Sequence, residues 1–152
     1  MEKLDHNSPA VQSSLTILQD VITRMAGNSA SAKTWCIALV SAILVLLADR
    51  GSPALVWIAL APILLFCLLD TYYLALEKDF CDRYNELVRK LHAGEVALDD
   101  LFVVLPPGQS PLTRRNAWRA FKSFSVWPFY TIQVVILAAA WFFLLCSITP
   151  PA

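Results

Sequence analysis

Lys33 and Asp70 stand at matching positions of two apolar segments and are the first residues whose spacing suggests chemistry. Lys33 precedes Arg50 by seventeen residues, and Asp70 follows Pro53 by seventeen. At about 1.5 Å per helical residue, each charge lies roughly 25 Å from the intervening turn, so antiparallel helices bring both to the same depth. Because a charge within a membrane is costly unless it is paired, this spacing predicts an ion pair. The pair would lock the two helices together, or it would act as a gate or proton site.

A polar stripe on the same predicted helix is a second candidate. Its members recur at three- and four-residue spacing, which places them on one helical face: Arg24, Asn28, Ser31 and Trp35. A polar face that enters a membrane must meet protein or water. We expect this face to contact Glu77 or Asp79 of the second helix, or to line the inner mouth of a pore.

Cations and aromatic rings alternate in a third segment, Arg114–Phe124, shortly before the last apolar run. One interpretation is a juxtamembrane anchor, with the cations on anionic headgroups and the rings at the interface. The other is a nucleotide or nucleic-acid contact, because guanidinium groups and aromatic faces suit phosphates and bases. The candidate residues for either ligand are Arg114, Arg115, Trp118, Arg119 and Lys122.

Residues that would support catalysis or metal binding are sparse. His6 and His92 belong to no motif, and the pair Asp99-Asp100 reads as a turn or cap. No glycine-rich phosphate loop, HExxH or GxSxG sequence occurs. The cysteines lack CxxC spacing, so we expect buried thiols and no disulfide framework or zinc site: Cys36, Cys67, Cys81 and Cys146. The prediction is a protein that is not an enzyme and has no metal ion or cofactor.

The elements that position these residues follow from the clustering of apolar residues. The 152-residue chain is 57% hydrophobic, and its apolar residues form runs long enough to cross a bilayer. We predict membrane spans over 34–48, 53–76 and 126–148, with a kink at Pro62 in the second. Aromatic residues suited to the membrane interface lie at the span ends: Trp57, Trp127, Phe129 and Tyr130.

Polar segments flank these spans. Ser8-Pro9 is a typical helix opening, and an amphipathic helix follows it. That helix lies on the membrane, packs on the cytoplasmic domain or continues directly into the first span. In the long loop we expect a helix over 77–91 ended by Gly94, a short strand over 101–105 and a second helix over 111–122.

The predicted fold class is an all-α membrane protein with three transmembrane helices, an amphipathic N-terminal helix and a small, mostly helical cytoplasmic loop domain. The corresponding domain boundaries are 1–33, 34–76, 77–125 and 126–152. Eight of the twelve Lys and Arg residues lie between Lys78 and Lys122, and three precede the first span. The positive-inside rule therefore predicts a cytoplasmic N-terminus and loop, with the C-terminus outside.

Two motifs flanking the predicted hairpin carry a family resemblance. The segment Arg24–Ser29 is followed by Lys33 and Trp35, and the segment Leu69–Lys78 is followed by Phe80. Together they resemble a family of small three-span bacterial membrane proteins, the Hailong-type membrane effectors of anti-phage defence. The resemblance covers about residues 20–90, and residues 91–152 match only in layout.

This resemblance implies a channel-like homo-oligomer of the bacterial inner membrane, a tetramer or larger. Its cytoplasmic part would sense a nucleotide or short DNA signal from a partner nucleotidyltransferase. Three helices cannot enclose a pore alone, so transport requires an oligomer. The residues expected to couple signal to spans are Arg24, Asn28, Lys33, Asp70 and Glu77.

Two other classes stay open. A holin-like lesion protein would need no ligand, although three-span holins tend to have the reverse topology. A non-conducting membrane scaffold would instead recruit a cytoplasmic partner.

Overall fold

Four α-helices account for most of the structure, a computed structural model that describes residues 8–51, 55–103 and 114–148. Helix α1 is Pro9–Arg50, α2 is Leu55–Ala93, α3 is Arg114–Phe121 and α4 is Trp127–Ile148. A 3-10 turn, Leu98–Asp100, follows α2. Three of these helices are long and apolar enough to cross a membrane. The all-helical fold class with three candidate spans is therefore confirmed.

The first two helices are longer than the predicted elements. The stretch predicted as a separate N-terminal helix and the first span form one uninterrupted helix of 42 residues, so the expected continuation into the first span is confirmed. The second span and the predicted helix over 77–91 also form one helix, of 39 residues. The prediction of a separate helix over 77–91 after the second span was wrong. No glycine or proline lies between Ala75 and Ala93, so nothing in that stretch favours a break.

Glycines end the two long helices. Gly51 follows α1 with φ +60°, and Gly94 follows α2 with φ +69°. The left-handed conformation costs glycine little, which suits it to a helix C-terminus. The amide of Gly51 donates to the carbonyl of Leu47 at 3.0 Å, and that of Gly94 donates to the carbonyl of Leu91 at 3.1 Å. The predicted role of Gly94 is confirmed.

The segment after α2 differs from the prediction. The described part of the predicted strand, 101–103, is a turn, and residues 104 and 105 lie outside the described residues. Phe102 takes φ 61°, and its backbone amide donates to the Ser14 hydroxyl at 3.1 Å. A left-handed residue cannot continue a strand, so the side-chain contact to α1 replaces a sheet pairing. Helix α3 begins at Arg114, and the start predicted at Pro111 also lies outside the described residues.

The chain divides into two compact units. The polar unit comprises Met1–Asn28 and Tyr72–Ala120, and the apolar unit comprises Ser29–Thr71 and Phe121–Ala152. The polar unit has a small core in which the first turns of α1 pack on the second half of α2. Its buried members are Val11, Leu18, Leu87 and Leu101. Val11 and Leu18 are seven residues apart and so lie on one face of α1, Leu87 lies on α2, and Leu101 follows the turn Leu98–Asp100.

Candidate functional site

The apolar unit holds a buried ion pair between α1 and α2. The Nζ atom of Lys33 lies 2.7 Å from each carboxylate oxygen of Asp70. The Asp70 side chain is fully buried, and that of Lys33 is 19% exposed. The ion pair predicted from the matched spacing is therefore present.

Ser29 completes this cluster. Its hydroxyl donates a hydrogen bond to Oδ1 of Asp70, and the Lys33 ammonium donates to Oγ of Ser29 at 3.2 Å. Among the described groups, Oδ2 of Asp70 accepts no hydrogen bond of good geometry, although the Lys33 ammonium is close. Sequence analysis did not single out Ser29. Its signal was the four-residue spacing to Lys33, which places both side chains on one face of α1.

Helix α4 reaches the same cluster through Tyr130. Its hydroxyl donates to the backbone carbonyl of Phe66 at 3.0 Å, one helical turn before Asp70 on α2. Only 5% of Tyr130 is exposed, so its prediction as an interface anchor was wrong. Trp57 and Trp127 are exposed, as anchors would be. The aromatic pattern did not distinguish them, because only tertiary packing determines which ring faces inward.

The energetics of this cluster follow from its burial. Two charges removed from water lose several kcal/mol of hydration each, and close pairing offsets that loss. Removing one partner leaves an uncompensated buried charge, which costs about 3–5 kcal/mol. The arrangement therefore joins α1, α2 and α4 and makes their packing sensitive to any change at one charge.

Other residues predicted to couple signal to spans belong to the polar unit. Arg24 is exposed, while Asn28 and Glu77 are half-buried. Among the described residues, Arg24 forms no ion pair with Glu77, and the predicted contact of this face with α2 stays a prediction. Asp79 accepts a hydrogen bond from Asn116. The alternative, that this stripe lines a pore mouth, stays a prediction.

Helix α3 is attached to α2 through Asn116, which sequence analysis missed. Its side chain is 1% exposed, and its Nδ2 donates to Oδ1 of Asp79 at 2.6 Å and to Oδ2 of Asp82 at 3.1 Å. The fully buried Ala120 lies one turn further along α3. The four-residue spacing between Asn116 and Ala120 could have indicated a buried face of α3. The neighbouring cations drew the interpretation of this segment to ligand binding instead.

The described cationic residues of α3 are exposed, although Arg115 and Arg119 each touch one member of this contact. The Arg115 side chain is 73% exposed and lies 3.8 Å from Asp82, and Arg119 donates to Oδ1 of Asn116 at 3.3 Å. Trp118 is 60% exposed, and Arg119 and Lys122 are exposed as well. The Arg114 side chain lies outside the described residues. The structure thus places Arg115, Trp118 and Arg119 on one open surface.

The polar unit also contains an ion pair between Lys90 and Asp100, 2.7 Å apart. The hydrogen bond from Lys90, with a second from the backbone amide of Ala97 at 3.1 Å, lowers the pKa of Asp100 below its ordinary value. Asp100 thus closes the turn Leu98–Asp100, in agreement with the cap predicted for the acidic pair.

No group of three or more His, Cys, Asp or Glu residues suited to a metal ion occurs in the described ranges. The described fold defines a class, the all-helical proteins with three helices able to cross a membrane, here with a buried ion pair among them. Comparison with protein-family models, curated protein sequences and solved structures finds no match.

Proposed function

We propose that this protein is an oligomeric, channel-like effector of bacterial anti-phage defence in the inner membrane. A nucleotide or oligonucleotide signal would gate it through its cytoplasmic part. The anti-phage role and the signal rest on the resemblance of the two hairpin motifs to the Hailong-type effectors. The channel-like assembly rests in addition on one feature of the apolar unit.

That feature is an outward strip of α1, the α1 strip. Its six exposed residues alternate three- and four-residue spacing: Ser31, Thr34, Ala38, Ser41, Val45 and Ala48. Such spacing is typical of a seam between two helices. Three of the six carry hydroxyl groups and two are alanines. Small and hydroxyl-bearing residues let membrane helices approach closely or line water.

The other two spanning helices expose a different surface. Between Val56 and Thr71, the exposed residues of α2 are all apolar: Trp57, Ile58, Ala61, Leu64, Leu65, Leu68 and Leu69. Among the described side chains of α4, Thr131 is the one exposed hydroxyl, and it donates to the carbonyl of Trp127 at 2.8 Å. Bulky apolar surface suits lipid, whereas hydroxyl groups suit water or protein. This contrast favours an assembly in which α1 strips face one another and α2 and α4 face lipid.

The buried pair of Lys33 and Asp70 is our candidate for coupling the signal to the spans. Both residues lie on helices that run through the polar and the apolar unit without a break. A shift or rotation of either helix would change the distance between the two charges. Separating opposite charges that are largely shielded from water costs free energy. We expect Lys33→Ala and Asp70→Ala proteins that still assemble to lose conductance. Normal conductance in such variants would exclude this coupling.

Ion flux from liposomes that contain the purified protein tests the proposal. Flux is measured with and without cyclic nucleotides and short oligonucleotides, and a change caused by one of them would support a gated effector. Flux that ignores all of them would favour a holin-like lesion. A lack of flux under every condition would favour the non-conducting scaffold.

A matched pair of variants tests the α1 strip within the same assay. Ser41→Leu places a bulky apolar side chain on the strip, and Ala139→Leu does the same at an exposed position of α4. We expect Ser41→Leu to abolish flux by preventing close approach or blocking water, and Ala139→Leu to retain it. Equal flux from both variants would contradict the role of α1.

A further inference from the structure

We propose that one surface of α3 binds the headgroups of anionic phospholipids. This α3 face consists of Arg115, Trp118 and Arg119. The inference rests on α4 crossing the membrane, as the proposed function requires, but it does not depend on conduction or on a soluble signal. The sequence allowed two ligands for these residues, a lipid headgroup or a nucleotide, and the inference assigns the lipid.

Chain connectivity brings α3 close to the membrane surface. Helix α3 ends at Phe121 and α4 begins at Trp127, so five residues separate them. A fully extended residue spans at most about 3.6 Å, which limits the gap to roughly 20 Å. Residues Trp127–Cys146 of α4 are apolar enough to cross a bilayer. The connection therefore keeps the end of α3 within about 20 Å of the start of this apolar helix.

The buried side of α3 fixes the direction of the α3 face. Asn116 and Ala120 are 1% and 0% exposed, and Asn116 is hydrogen-bonded to Asp79 and Asp82. Arg115 and Arg119 are one turn apart, and Trp118 lies on the same side of the helix. The hydrogen bonds of Asn116 thus hold α3 with its cations outward. A preformed surface of this kind needs no reordering to meet a partner.

With the residues that the structure describes, Arg115 and Arg119 make one ion pair and one hydrogen bond, which occupy few of their N–H donors. Arg115 is 3.8 Å from an exposed Asp82, and an exposed ion pair of this length is worth little. Arg119 uses Nη1 on Asn116, which leaves other guanidinium donors for phosphate oxygens. The segment 114–122 contains four basic residues and no acidic residue. Its charge is therefore complementary to a phosphate-bearing surface.

Trp118 supports a membrane surface as the partner. A tryptophan ring combines a large apolar area with one N–H donor, and it prefers the headgroup level of a bilayer. Nucleotide sites are concave and enclose most of their ligand. The α3 face is instead the outer side of a helix, with Arg115 and Trp118 largely in the open. This open geometry favours a broad anionic surface over a nucleotide.

Titration of the full-length protein in detergent with fluorescent phosphatidylglycerol tests the inference, with phosphatidylcholine as the neutral comparison. We expect tighter binding of phosphatidylglycerol, weakening as salt rises. The double variant Arg115→Gln/Arg119→Gln should weaken it about thirtyfold, because a basic residue at an anionic surface contributes about 1 kcal/mol. Arg89→Gln, at an exposed position of α2, is the control and should bind almost as the parent does. Unchanged helix content by circular dichroism shows that each variant is folded.

Three results would overturn the inference. Equal affinity for the two lipids would show that charge on the lipid does not matter. An equal loss of phosphatidylglycerol affinity in Arg89→Gln would show that the net charge of the protein, and not the α3 face, is responsible for lipid binding. Displacement of phosphatidylglycerol by a short oligonucleotide, lost in the double variant, would assign the face to nucleic acid. Since the assay needs no ion flux, its failure is distinct from a failure of the proposed channel.

Discussion

The hydroxyl of Tyr130 on α4 donates to the backbone carbonyl of Phe66 on α2, at 3.0 Å and one helical turn from Asp70. A backbone carbonyl has two lone pairs, so it can accept from a side chain as well as from the helix. This bond links α4 to α2, the helix that carries the buried carboxylate. It makes Tyr130 part of the polar cluster of the apolar unit.

Removal of this hydroxyl should weaken the attachment of α4. We expect Tyr130→Phe to lower the free energy of unfolding by about 0.5–1.5 kcal/mol, the usual net value of one hydrogen bond. Thermal or denaturant unfolding in detergent measures the change. Tyr72→Phe is the matched control, because Tyr72 is an exposed residue. An equal loss from both variants would contradict a specific role of the Tyr130 hydroxyl.

A double-mutant cycle on the buried pair should show strong coupling. Lys33→Met and Asp70→Asn should each cost about 3–5 kcal/mol, because each leaves one buried charge uncompensated. The double variant removes both charges, so it should cost much less than the sum of the two. Unfolding in detergent measures the free energy of unfolding for the parent, the two single variants and the double variant. Additive costs would show that the two residues do not stabilise one another.

Loss of the Asn116 side chain should release α3 from α2. Asn116→Ala removes the donor to Asp79 and Asp82, and the lost hydrogen bonds should cost about 1–3 kcal/mol. Amide hydrogen exchange across residues 114–121 should become faster. Asn85→Ala changes an exposed residue of α2 and should leave that exchange unaltered. Unchanged protection in Asn116→Ala would mean that other contacts hold α3 in place.

The pair of Lys90 and Asp100 should make the polar unit sensitive to acid. The pKa of Asp100 is lower in the folded protein than in the unfolded chain, so its stabilising effect is present above about pH 4. That contribution is lost as the pH falls through the folded-state pKa, because protonation removes the charge that Lys90 contacts. Asp100→Asn should therefore reduce the loss of stability in acid.

Asp99→Asn is the matched control for this pH dependence, since Asp99 is the exposed neighbour of Asp100. Denaturant unfolding of the parent and both variants between pH 2 and pH 6, a range chosen about the ordinary Asp pKa, provides the measurement. A parent-like acid response in Asp100→Asn would show that the ion pair is not its source.

The sequence alone was sufficient for three helices able to cross a membrane and for the ion pair of Lys33 and Asp70. Continuous apolar runs have few alternatives to crossing or packing as helices, because only a helix satisfies every backbone group locally. The ion pair followed from equal residue counts on either side of a charged turn and a fixed helical rise. Gly94 was predictable for a related reason, since glycine is well suited to the left-handed turn that ends α2.

Only the tertiary structure determined which polar and aromatic side chains face inward. Ser29, Asn116 and Tyr130 are buried and hydrogen-bonded, whereas Arg24 and Trp127 are exposed. Local spacing places residues on a face of their own helix, but it does not say which face meets a neighbour. That choice depends on contacts between residues 34 to 64 positions apart, such as Asp82 with Asn116 and Phe66 with Tyr130. The sequence therefore determined the helices of this protein, and their packing determined its polar cluster and its exposed cationic surface.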